Sequence, residues 1–116
     1  MSELKPTISY PDFAKLDIRV GTILEAKEVE NSDKLVKLLV DFGSEIGQRT
    51  IFAGIKSWYK VEELTGLQTI FLANLEAKKM PGGESQGMLL AAEEADDSKP
   101  ILFLLNEAAA NGARIL

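Results

Sequence analysis

Leu16, Ile18 and Val20 alternate with Asp17 and Arg19, a period of two that predicts a half-buried strand. Gly21 interrupts the pattern and Thr22-Ile23-Leu24 continue it. A glycine inside a strand pattern points to a bulge or sharp bend, the device that lets small barrels close. Asn31-Ser32-Asp33 is a turn cluster. Beyond it Val36, Leu38, Val40 and Phe42 alternate with Leu35, Lys37, Leu39 and Asp41, a second strand that stops at Gly43-Ser44. Arg49 to Gly54 reads as a short third strand. Lys60 to Leu64 carries helix formers and stops at Gly66, which predicts a short helix with a glycine C-cap. Gln68 to Leu75 and Ser85 to Ala92 read as strands four and five. Glu93 to Lys99 is an acidic, solvated loop, and Pro100 opens a last apolar strand, Ile101 to Leu105.

Ahead of the first strand, residues 1–9 read as a flexible lead-in, and Pro11 to Lys15 as one helical turn anchored by Phe13. Residues 10–116 then form one domain, the size expected for a single core. Five strands with a helix between the third and fourth follow the order of an OB barrel, although other small β folds share the strand count. The expected fold is therefore all-β: a five-stranded OB-fold barrel with a short helix between strands 3 and 4 and C-terminal strand extensions. The tail ends on Ile115-Leu116, two large apolar residues of the kind a chain buries. They pack either on their own barrel or on a second subunit.

Composition removes whole classes of chemistry. The chain has no histidine and no cysteine. Ser-His-Asp and Cys-His nucleophiles, thiol chemistry, disulfides and His or Cys metal sites are thereby ruled out. Gly83-Glu84-Ser85-Gln86-Gly87 matches the nucleophile elbow by chance, since that motif needs a strand-to-helix turn and a histidine partner. There is no phosphate-binding loop and no dinucleotide fingerprint. Glu62-Glu63 and Glu93-Glu94 read as solvated faces rather than acid–base pairs. The expectation is a binding module with no catalytic residues, no cofactor and no metal. The start of the chain has no long apolar stretch, so neither a signal peptide nor a membrane span is expected, and a cytoplasmic protein is.

The net charge is −5, which argues against a general polyanion binder. The distribution changes that picture. Residues 31–80 hold seven basic and six acidic side chains, the only stretch with a positive balance; residues 81–116 hold two and six. A local patch suffices for one structured RNA. The richest stretch runs from Asn74 to Met88 and joins strand four to strand five, one wall of the ligand groove in an OB barrel. Lys78 and Lys79 suit phosphates, Ser85 can donate to a phosphate or base, and Met88 is soft enough to support an unstacked base. An ordinary β-loop with solvated lysines and a buried Met88 fits the same residues.

Several blocks, taken in order, resemble a known family. Asp12-Phe13, Lys15-Leu16-Asp17-Ile18-Arg19-Val20-Gly21 and Ile23 resemble the opening of the tRNA-binding OB domains. These occur at the C-terminus of methionyl-tRNA synthetases, in cytokine-like synthetase partners and as free-standing proteins. Asp33-Lys34-Leu35 with Lys37-Leu38, Ala53-Gly54-Ile55, Asn74-Leu75 with Lys78-Lys79-Met80, and Ser85 with Gly87-Met88 continue the resemblance. It implies an OB barrel that binds tRNA by shape, stand-alone or as the non-catalytic β-subunit of a methionyl-tRNA synthetase, in protein biosynthesis. The RNA-contact candidates it implies are Lys34, Lys78, Lys79, Ser85 and Met88, with Arg49 and Asn74 behind them. Lys34 also reads as a solvated strand start, Arg49 as a cover on the barrel and Asn74 as a loop cap. Trp58 and Tyr59 suit packing more than base stacking. Asp17 and Arg19 read as structural.

The chain departs from the family at Glu30-Asn31-Ser32, where Pro-x-Ala is common, at Ala53, at Val61 and at Met80-Pro81-Gly82, where a more basic turn is common; the last change bears on RNA affinity. The ending Asn111-Gly112-Ala113-Arg114-Ile115 resembles the dimeric, free-standing branch, which implies a homodimer through N- and C-terminal segments. The implied partners are tRNA and, for the subunit reading, an aminoacyl-tRNA synthetase. The competing expectation is an export-related, chaperone-like peptide-binding OB protein, which shares the Leu16-Asp17-Ile18-Arg19 opening.

Overall fold

The structure, a computed structural model, describes residues 3–96 and 98–116. Residues 1 and 2 of the expected lead-in, and Asp97 of the acidic loop, lie outside the described residues. Residues 3–9 form no helix or strand and are exposed.

Strand β1 (Ile18–Glu28) is the spine of the barrel. Its first half pairs antiparallel with β4 (Gln68–Leu72), Ile18 opposite Leu72 and Thr22 opposite Gln68. Its second half pairs with β2 (Val36–Asp41), which pairs in turn with β3 (Gln48–Ala53). A fifth strand, β7 (Met88–Leu89), adds to β4 and gives the order β3-β2-β1-β4-β7. The sheet curls until β3 nears the fifth-strand segment. There the Gln86 amide donates to the Thr50 carbonyl at 2.8 Å, and the Gln86 side-chain oxygen accepts from the Thr50 amide at 3.0 Å. The all-β, OB-like barrel expected from the pattern is the fold observed.

Alternation along the strands puts Ile23, Val36, Leu38, Val40, Ile51 and Phe71 inside, each fully buried. Phe42 and Phe71 meet edge to face, ring centroids 5.4 Å apart. The one-turn helix α2 (Val61–Leu64) plugs one end with Leu64, and its Glu63 side chain accepts from the Lys60 amide at 3.0 Å. Thr65, not Gly66, is the C-cap. Gly66 follows at φ +90° in a tight turn closed by Leu67 N to Leu64 O at 3.1 Å, a backbone only glycine adopts without strain.

Several expectations are corrected. The bulge is at Leu24, between Ile23 and Glu25, not at Gly21. It places two outward residues between inward Ile23 and Ala26. Gly21 pairs regularly with Thr69, and it is glycine because a Cβ would stand 2.6 Å from Val40. The fourth strand stops at Leu72. The expected fifth strand, Ser85 to Ala92, breaks into the end of β6 (Gly83–Ser85), then β7, then β8 (Ala91–Ala92). The last strand, β9 (Ile101–Leu102), is only two residues long and pairs with β8. Helix α1 (Tyr10–Phe13) starts one residue early and buries nothing, so Phe13, 37% exposed, is no anchor within this chain.

The tail packs on its own barrel through its backbone. Beyond Thr22, β1 has β2 beside it; before Thr22 that edge is covered by residues 112–115. Val20 and Ile18 exchange hydrogen bonds there with Gly112, Ala113 and Ile115 at 2.8–2.9 Å. The two apolar side chains that end it are nevertheless exposed, Leu116 completely.

Candidate nucleic-acid interface

Between β4 and β7 the chain leaves the barrel and makes a small hairpin, β5 (Lys78–Met80) against β6 (Gly83–Ser85), turning at Pro81-Gly82. The hairpin folds back over the outer face of β3. Phe52 points out of the barrel there, since its cross-strand partner is Lys37 and the neighbouring pair, Leu38 with Ile51, points in. The hairpin covers it, leaving Phe52 7% exposed. Ser85 fixes the overlap: its hydroxyl accepts from the Phe52 amide at 3.0 Å and donates to the Gly87 carbonyl at 3.1 Å. Lys37 fixes it from the other side, donating to the Gly82 carbonyl at 3.2 Å with its ammonium 5.9 Å from the Phe52 ring centre.

The expected contact residues thus fall into two groups. Lys34, Lys78 and Lys79 are exposed, and among the described residues their side chains have no hydrogen bond or ion pair. Met88 is 43% exposed. The others are engaged within the protein. Ser85 is 8% exposed and holds the hairpin down. Arg49 donates to the Ala73 carbonyl at 2.5 Å. Asn74 joins the start of the hairpin connection to the segment that leads into β1, accepting from the Asp17 amide at 2.9 Å and donating to the Lys15 carbonyl at 2.7 Å. Lys78 and Lys79, adjacent on a strand, project from opposite faces of the hairpin. Lys78 shares a face with Ser85, and Lys79 shares one with the acidic Glu84.

Met88 lines an open, largely apolar groove with Phe52, Ile55, Trp58, Leu89 and Pro100, with Glu93 at its edge. The two aromatics part company here. Trp58 is 37% exposed in this groove. Tyr59 packs on the core, and its hydroxyl donates to the Pro100 carbonyl at 2.7 Å.

Among the described residues the shortest ion pair lies where the chain enters β1. Arg19 donates to both carboxylate oxygens of Asp17, at 2.5 and 3.2 Å, and to the Gly112 carbonyl at 2.9 Å. The Arg19 hydrogen bond holds the Asp17 carboxyl below its ordinary value of 3.8, against a smaller opposing effect of burial. Among the described residues no cluster of three acidic side chains is placed to hold a metal ion, and no helix is long and apolar enough to cross a membrane.

Sequence reasoning did not single out Lys37. Its position in the alternation placed it on the outer face. That a distant hairpin would reach its ammonium is set by tertiary packing, which leaves no mark in the pattern.

Residues 18–114 match the family model described as "Putative tRNA binding domain". The chain is 44% identical to a methionine–tRNA ligase of Nitrosomonas europaea over 115 residues, which is 99% of this chain and 16% of that protein. It is 48% identical to the corresponding ligase of Porphyromonas gingivalis over 88% of this chain and 15% of that protein. The chain therefore spans about 15% of the length of these relatives. Among solved structures, a MetRS-related protein from Pyrococcus horikoshii superposes with a TM-score of 0.88 at 39% identity, covering 97% of this chain and all of that one. The chaperone CsaA of Bacillus anthracis gives 0.86 at 29% identity, covering 96% of this chain and all of that one.

Proposed function

The chain belongs to the tRNA-binding domain family, and from that premise we propose that it binds folded tRNA by shape and carries out no catalysis itself. It acts in the cytoplasm, either alone or as the non-catalytic partner of a methionyl-tRNA synthetase. The observation that carries this reading is the β5–β6 hairpin, a short arm over the outer face of β3 with Lys78 and Lys79 exposed on it. Structured RNA is recognised chiefly through backbone geometry and exposed bases. Two unpaired cations on a raised arm, with Lys34 also exposed, suit phosphates, and Met88 offers an apolar contact for a base. Ser85, Arg49 and Asn74 contribute by setting the position of the arm.

The test is a titration of the protein into folded total tRNA and into unstructured RNA of equal length, at two salt concentrations. Tighter binding to folded tRNA, weakened by salt, is expected. Binding to neither RNA would overturn the reading and favour peptide capture in the Trp58–Met88 groove.

A homodimer is the expected assembly. Ile8, Tyr10, Phe13 and Leu16 before β1, and Phe103, Leu104, Ile115 and Leu116 near the other end, are large apolar side chains left exposed in one chain. The tail runs antiparallel to the start of β1, which brings Ile115 to Ile18 and Leu116 toward Leu16. Sedimentation equilibrium should give twice the chain mass, and Leu104→Asp should shift the protein toward monomer; a wild-type monomer at high concentration rules this assembly out.

A further inference from the structure

Lys27 and Lys37 are direct cross-strand partners on β1 and β2. Both point out of the barrel, because their neighbours in the same rows, Ala26 with Leu38, point in. Two like charges placed opposite each other on one face of a sheet are unfavourable in the free protein. Lys27 is exposed, while Lys37 is half-buried against the Phe52 ring. Only partial compensation is present. Glu25 pairs with Lys27 at 2.9 Å, with both side chains half exposed or more, and an ion pair of that kind is weak. Lys37 reaches a neutral carbonyl on Gly82.

The two lysines also occupy a particular place. A shallow concavity on the outer face of the sheet is lined by Glu25, Lys27, Lys37, Leu39 and Thr50. A second one opens between the β1–β2 turn and the tip of the hairpin, lined by Lys27, Val29, Asn31, Lys37, Pro81 and Gly82. Lys27 and Lys37 are the residues the two share. They stand where the outer sheet face passes between the β1–β2 turn and the hairpin. Glu28 and Glu30 also line the second concavity and Glu25 the first, so an anion held by the two lysines would have to take the place of Glu25 on Lys27.

We infer that Lys27 and Lys37 form a phosphate clamp that seats the RNA backbone on the outer face of β1 and β2, beside the hairpin. The inference rests on the tRNA-binding reading and deepens it: the arm carrying Lys78 and Lys79 would be one side of the contact and this pair the other. A phosphate between the two ammonium groups relieves their repulsion, and the Lys27–Glu25 pair gives way readily because water already screens it. Lys37 would keep Gly82 within reach and so tie RNA binding to the position of the arm.

The experiment measures binding of folded tRNA over a series of salt concentrations. The variants are Lys27→Gln, Lys37→Gln, the charge-preserving Lys27→Arg and Lys37→Arg, and Lys78→Ala/Lys79→Ala, each checked for folding by thermal melt. Each Gln variant should weaken binding about threefold to tenfold and lower the slope of log affinity against log salt by about 0.7–0.9, one phosphate contact each. The Arg variants should keep the wild-type slope. A wild-type slope in both Gln variants, with the hairpin double variant still weakened, overturns the clamp and leaves the tRNA-binding reading intact. A loss that Arg does not restore also overturns it, because the role is then one of shape and not of charge. Absence of tRNA binding by the wild-type protein overturns both.

Discussion

Strand β2 has one kind of chemistry at each end. At its Asp41 end the polar groups are committed to one another. Asn111 accepts from Thr22 at 2.7 Å and from Gln68 at 3.0 Å, Gln68 exchanges two hydrogen bonds with the backbone of Ala109, and Arg19 holds Asp17 and Gly112. At its Val36 end the charged groups are more loosely held: Lys27 has an exposed ion pair with Glu25 and Lys37 a single carbonyl on Gly82. Lys34 precedes the strand, Lys27 and Lys37 face each other, and Lys78 rides the hairpin above. A hydrogen bond between partners that are both ordered contributes to stability, whereas an exposed cation with no partner contributes little. The tail end should therefore carry more of the stability than the hairpin end does. Stability and binding should respond to different substitutions.

The sharpest way to break this division is at the tail end itself. Phe71→Ala removes the fully buried ring packed edge to face on Phe42, just below the tail, and should cost about 3–5 kcal/mol in urea unfolding. The fraction still folded should bind tRNA as the wild type does. Gly112→Ala is next. Gly112 has φ +91°, and a methyl group there would run into the carbonyl oxygen of Phe42. A loss of about 1–3 kcal/mol is expected, with faster amide exchange at Val20, whose N–H donates to Ala113. Wild-type stability in this variant would mean the tail lies on the barrel without supporting it.

At the hairpin end the pattern should reverse. Lys78→Ala/Lys79→Ala should lower tRNA affinity about tenfold, a change of about 1.4 kcal/mol, while unfolding stability stays within about 0.5 kcal/mol. The single variants sharpen the point. Lys79 stands opposite Glu84 on its face of the hairpin, and Lys78 shares the face of Ser85. A phosphate near Lys79 would also meet that carboxylate, so Lys78→Ala should be the more damaging of the two. Equal losses would show that the arm turns when it binds.

How far the sequence foretells this division depends on the range of the interactions. Alternation is local, so β1, β2 and β3 were legible, as was the helix between β3 and β4. The bulge was misplaced to Gly21 because both Gly21 and Leu24 break the pattern, and only the register against β2 tells a bulge from a close approach. The break-up of the fifth strand was hidden because Ser85 to Ala92 is apolar enough for one strand, yet Ser85 is drawn to Phe52 and Gln86 to Thr50. Charge type and loop position single out Lys78 and Lys79 as contact candidates, and both are exposed. Nothing local announced that Ser85 would be buried or that Asn74 would span 57 residues to Asp17, since both follow from a long-range fit. Lys27 and Lys37 read as ordinary outward positions on two separate strands until pairing set them side by side.

The smallest effect is expected from acid, and the comparison of the wild type with Asp17→Asn ties it to the tail end. Asp17 is held below its ordinary value of 3.8 chiefly by the Arg19 hydrogen bond. A carboxyl with a depressed folded-state value stabilises the fold at any pH above its unfolded value, and that contribution is lost as pH falls through the lower, folded value. The Asp17 side chain is 37% exposed, so water screens much of the effect, which should stay below about 1 kcal/mol. Urea midpoints followed from about pH 5 to about pH 2 should therefore fall slightly more steeply for the wild type than for Asp17→Asn, with the difference appearing below about pH 4. Identical slopes would remove Asp17 from the stabilising network. Acid should thus loosen the barrel where Arg19 holds the tail, and a parallel fall in stability and in the salt dependence of tRNA binding would show that the two ends are coupled after all.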